Sequence, residues 1–108
     1  MAKADLQARL RTLRESLQQI KSLLAWEKLK KAEARPGQPP AFQVYDPTES
    51  ELRDEFSFFL ARLAEVRGLV DDGSFSISEH DYKNAKRQLL KLEQELQATN
   101  LHQRFWGL

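Results

Sequence analysis

Leu6, Leu10, Leu13, Leu17, Ile20 and Leu24 step along the chain by alternating fours and threes, a spacing that lines one stripe of an α-helix. Arg9, Arg11, Arg14, Gln18 and Lys21 fill the other faces. The stripe predicts a first helix over about residues 3–34, ending before Pro36-Gly37, and it persists long enough to serve as a coiled-coil or bundle seam. Beyond Leu24 the phase slips: the next core position of the heptad is Glu27, with Leu23, Trp26 and Leu29 to its sides.

A second stripe, Leu52, Phe56, Phe59, Leu63, Val66 and Val70, is flanked by Phe58, Leu60 and Leu69 and predicts a heavily apolar central helix over about residues 48–71. Its start is marked by Asp46-Pro47-Thr48-Glu49, which combines an N-cap, a proline where no backbone donor is needed and a capping glutamate. Asp71-Asp72-Gly73 ends it, since glycine takes the left-handed conformation that closes a helix. Tyr82, Ala85, Leu89, Leu92 and Leu96, with Leu90 beside them, predict a third helix over about residues 77–98, begun at about Ser76 or Ser78 in the capping box Ser76-Ile77-Ser78-Glu79. So short a connection implies an antiparallel hairpin of the second and third helices.

Four prolines and a glycine in residues 36–47 break the chain between the first two helices. Phe42, Val44 and Tyr45 within that connection are suited to covering apolar surface. Residues 100–108 form an apolar tail carrying Leu101, Phe105, Trp106 and Leu108. The expected architecture is a single all-α domain over residues 1–108: a three-helix antiparallel bundle with a long N-terminal helix. At 1.5 Å per residue that first helix outruns the hairpin, and a homodimer, through a dimeric coiled coil, is the simplest way to cover its surplus apolar surface.

Charge is unevenly spread beneath a net +1: residues 1–36 hold nine Lys or Arg and four acids, residues 37–73 three and eight, residues 74–108 five and four. A basic helix beside an acidic one favours packing within or between chains. The same cations suit phosphate, with Lys28, Lys30, Lys31 and Arg35 as the candidate nucleic-acid contacts and Trp26 available to stack on a base. There is no cysteine, hence no disulfide, thiol nucleophile or thiolate metal site. The charged N-terminus and short apolar runs point to a cytoplasmic protein without a membrane span.

Candidate chemistry is sparse. Glu79-His80-Asp81 sets an imidazole between carboxylates, yet neighbours on a helix diverge and both acids suit a first turn. His102 has no paired His or Cys, and Glu49, Glu51, Asp54 and Glu55 read as an acidic helix start. Glycines at positions 37, 68, 73 and 107 build no phosphate loop, and Asp71-Asp72-Gly73-Ser74 lacks the ligand order of a calcium loop. Neither catalysis, a cofactor nor a metal is expected.

The stretch from Leu63 to Leu90 resembles short C-terminal helical-hairpin domains in its Asp72-Gly73 turn, Ile77, Glu79, Asp81-Tyr82, Lys86 and Leu89-Leu90. That resemblance implies an oligomerisation or adaptor role. Phe42, Val44, Tyr45, Phe58, Phe105 and Trp106 are the large apolar residues least committed to the internal stripes, and they are the expected contacts to another protein. Completing a small core is the competing use of all six.

Overall fold

The computed structural model describes residues 2–33 and 47–107, without the side chains of residues 31–33, 47 and 48. It is all-helical, with no strand among the described residues. Four helices follow one another: α1 Lys3–Glu33, α2 Pro47–Asp71, α3 Glu79–Gln97 and α4 Leu101–Trp106. The last is an addition to the three that periodicity predicts. Six residues are too few for a 3.6-residue repeat to declare itself.

Hydrophobic stripes meet as their spacing requires. Leu6, Leu10, Leu13, Leu17 and Ile20 of α1, Leu52, Phe56, Phe59, Leu63, Val66 and Val70 of α2, and Ala85, Leu89, Leu92 and Leu96 of α3 are buried in one core with Phe75 and Leu101. The α1 stripe thus has its own chain as cover. Leu24, on the same stripe, is only partly buried, because it stands where the phase slips toward Glu27.

Polar pairs give the directions of the helices. Arg9 donates to Glu65 at 2.9 Å and Ser16 to Glu55 at 2.6 Å, so α2 runs back along α1. Lys3 with Asp81 at 3.3 Å, Arg14 with Gln88 at 3.0 Å and Lys21 with Glu95 at 3.4 Å place α3 alongside α1 in the same sense. Lys86 meets Asp71 at 2.9 Å, and Arg67 pairs with Glu93, across α2 and α3. The basic first helix therefore finds acids on both neighbours. Exposed pairs of this kind add little, and together they fix register more than stability.

The turn between α2 and α3 is a helix-closing motif. Ser74 N–H donates to Leu69 C=O at 3.0 Å and Gly73 N–H to Val70 C=O at 3.3 Å, with Gly73 at φ +75°. No atom lies within 4 Å of where a Gly73 Cβ would stand, so an added methyl would meet backbone strain alone. Gly73→Ala is expected to lower stability by about 1–2 kcal/mol, seen as a lower urea midpoint at unchanged m-value. A neutral outcome would mean the turn can be made another way.

The turn also buries Phe75, which no periodic stripe includes, and delays α3. Ser78, not Ser76, is the N-cap, its Oγ accepting from Asp81 N–H at 3.2 Å. Hydrogen bonding with Ser78, then with Lys3, holds the Asp81 carboxyl below its ordinary value despite partial desolvation. The cap predicted at Asp46 lies outside the described residues.

At 31 residues α1 is about 46 Å long, against about 28 Å for the 19-residue α3. The radius of gyration is 17.6 Å, whereas a compact chain of this size has about 13 Å. The molecule is elongated, with extents of 60 × 23 × 19 Å.

Candidate protein interface

α4 carries Phe105 and Trp106, two of the expected interface residues. Thr99 donates its N–H to Leu96 C=O at 3.0 Å, and its hydroxyl caps the same carbonyl. Asn100 then turns the chain at φ 61°, a left-handed conformation that Asn tolerates better than most residues. This reversal sends Leu101 into the core, where it is fully buried.

Two further attachments hold the short helix. Arg104 forks onto Glu27, donating to each carboxylate oxygen at 2.7 Å, and its guanidinium also approaches Glu49 at 3.9 Å. Glu27 is the residue that occupies an apolar heptad position of α1; its charge faces inward because a cation from the far end of the chain meets it there. Phe105 packs on Phe56 at 5.6 Å between centroids, with the Arg53 and Arg104 guanidiniums 5.3 and 5.4 Å from its own centroid.

The third attachment is aromatic. Phe56 stands at 5.1 Å from His102 and 5.4 Å from Trp106, and His102 and Trp106 lie 5.2 Å apart, each pair edge-to-face. His102 is thus part of a ring cluster. Among the described residues no group of three His, Cys, Asp or Glu could hold a metal ion. Trp106 remains 54% exposed although one side of its indole is fixed by two rings. A large apolar surface held still before contact loses little side-chain entropy on binding.

Of the six expected interface residues, the three that are described do not form one patch. Phe105 and Trp106 sit together on α4. Phe58 is exposed on α2 with Arg62 5.6 Å from its ring centroid, and it follows Phe56 by two residues, which turns it to the opposite side of the helix from the α4 cluster. Phe42, Val44 and Tyr45 lie outside the described residues. Of the candidate phosphate contacts, Lys28 and Lys30 are exposed near the end of α1, while Arg35 and the side chain of Lys31 lie outside the described set.

Three further exposed side chains join this picture. Trp26 and Leu29, 55% and 57% exposed, lie on α1 where it begins to outrun α2. Leu90 is exposed on α3, at a groove that it lines with Arg67, Asp71, Lys86, Arg87 and Glu93. Their sequence signal was position beside a stripe, the only signal that separates a flank from a core. No helix among the described residues is long and apolar enough to cross a membrane. No protein-family model, curated protein or solved structure matches the chain.

Proposed function

We propose that this chain is a non-enzymatic protein-protein interaction module, a small adaptor, chaperone-like factor, regulator or assembly component that acts in the cytoplasm as a homodimer. Its three long helices serve as one antiparallel bundle, and α4 presents the recognition surface. The observation that carries this reading is Trp106: pinned against Phe56 and His102, on a helix latched by Arg104, yet more than half exposed. Such a residue has the rigidity and the desolvatable area of an interface anchor.

The other chemistry of the chain has local employment. Asp81 serves the start of α3 and meets Lys3, and Glu79 pairs with Lys83 at 3.3 Å. These contacts account for the acids flanking His80 without catalysis. Lys3, Arg9 and Lys21 of the basic helix face carboxylates of their own chain, which supports an internal use of that charge over a phosphate-binding one. Salt-sensitive binding of short DNA or RNA, lost on reversing Lys28, Lys30, Lys31 and Arg35, would turn the reading toward nucleic acid instead.

Trp106→Ala tests the protein-binding reading. Affinity capture with a free C-terminus is expected to retain a partner that the variant binds roughly 30-fold or more weakly, the signature of an anchor worth about 2 kcal/mol. Stability should fall by only about 1 kcal/mol, because half of the indole is already in water. If folding and binding decline together, Trp106 is a core residue and the reading fails.

A further inference from the structure

We infer that the cleft between α1 and α3 is a docking site for an acidic segment of a partner protein, whose carboxylate seats between Arg14 and Lys91. The inference deepens the preceding reading and rests on it for the ligand's being a protein. Arg14, Gln18 and Lys21 form the α1 wall of the cleft, and Gln88, Lys91 and Glu95 form the α3 wall. Its volume is about 410 Å³, within the range of ligand sites. Two rungs cross it: Arg14 donates to the Gln88 amide oxygen at 3.0 Å, and Lys21 meets Glu95 at 3.4 Å. The rungs are about 10 Å apart along either helix, so the walls run in register and leave Gln18 and Lys91 at the gap between them. Leu17 and Leu92, both almost wholly buried, make the floor.

Charge names the occupant. The lining holds three cations and one acid, and that acid, Glu95, is already matched by Lys21. Among the described residues Lys91 is exposed and makes no ion pair, and Arg14 bonds only a neutral amide, which leaves most of its N–H donors for an anion. Neighbouring acids do not cancel this excess. Asp81 meets Lys3, Glu79 meets Lys83, and Glu93 pairs with Arg67 on the α2 side. Glu15 is exposed and follows Arg14 by one residue, so it projects about 100° further round α1, outside the lining. Arg11 and Arg87, both exposed and one turn before Arg14 and Lys91, add positive charge on the same flank. The cleft suits a peptide better than a phosphate chain. Glu95 interrupts the positive lining at one end, where a continuous run of phosphates would meet a carboxylate. The leucine floor and the methylene stems of the three cations offer apolar contact to a segment that mixes acidic and apolar side chains, and the two glutamines can donate to and accept from its peptide groups.

Titrating the isotope-labelled full chain with a short capped peptide of alternating leucine and glutamate, followed by NMR, tests the site. The side-chain amide signals of Gln18 and Gln88 are expected to shift saturably, with an affinity that falls as salt is raised. Lys91→Glu should weaken binding about tenfold or more while the circular dichroism spectrum stays that of the wild type, because Lys91 has no ion pair in the fold to lose. Arg14→Gln should weaken it likewise, and Lys91→Arg should retain it. Arg62→Glu, the same change of net charge placed on α2, should leave it unchanged. Unmoved Gln18 and Gln88 signals, equal binding of a peptide of alternating leucine and glutamine, an affinity indifferent to Lys91→Glu, or tighter binding of short single-stranded RNA through Arg14 and Lys91 would overturn the proposal. Trp106→Ala should leave this titration unchanged, so failure of the cleft and failure of the α4 recognition surface are read separately.

Discussion

Phe56→Ala is expected to cost about 3–5 kcal/mol of unfolding free energy, a large share of the roughly 5–15 kcal/mol typical of a domain. Phe56 is fully buried, so its removal forfeits the transfer of a whole aromatic side chain and leaves a cavity that close-packed neighbours fill only in part. It is also the seat of α4, since His102, Phe105 and Trp106 all touch its ring. The variant should therefore show two effects: a lower denaturation midpoint, and loosening of Trp106 visible as reduced near-ultraviolet dichroism. Phe59→Ala is the control. Phe59 is equally buried but makes no ring contact with α4, so a similar loss of stability should come without the change specific to the C-terminal helix. A cost below about 1 kcal/mol at Phe56 would contradict the core described above.

These two phenylalanines also mark how far the sequence alone could be read. Both lie on a stripe of fours and threes, and such spacing places a residue inward whatever the partner helix is. The same logic holds for the leucines from Leu6 to Leu17 and from Leu89 to Leu96, and for Gly73, whose turn requires a residue free to take positive φ. Phe75 could not be read this way. It sits in a turn without periodicity, and its burial follows from the path the chain takes after Gly73. Of the two serines that could open α3, the later one caps it for the same reason, because Phe75 must reach the core before α3 can begin. At Glu27 the sequence displayed an anomaly without its cause. A carboxylate at an apolar heptad position is visible locally, but the cation that meets it is Arg104, 77 residues away, delivered by a helix too short to announce itself.

That distant pair gives the second large effect. Glu27 has only 14% of its side chain exposed and Arg104 32%, so the fork is partly withdrawn from water and screened less than the surface pairs along the bundle. Truncating Arg104→Ala removes two charge-assisted hydrogen bonds and leaves the Glu27 carboxylate poorly solvated, which is expected to cost about 1–3 kcal/mol. Glu27→Ala should cost a similar amount by stranding the guanidinium, which would keep Glu49 at 3.9 Å as a weaker partner. The two losses should not add: a double-mutant cycle is expected to give a coupling of about 0.5–3 kcal/mol. Arg104→Lys should recover only part of the loss, since an ammonium cannot match both carboxylate oxygens at once. Hydrogen exchange distinguishes a latch from a decoration. If the pair holds α4 in place, amides of residues 104–107 should exchange faster in either single variant while those of Leu89 to Leu96 keep most of their protection. Because α4 carries Trp106, partner affinity should then fall in Arg104→Ala although the indole itself is untouched. Strictly additive losses, with exchange in α4 unchanged, would show that Leu101 and the ring cluster alone hold the helix.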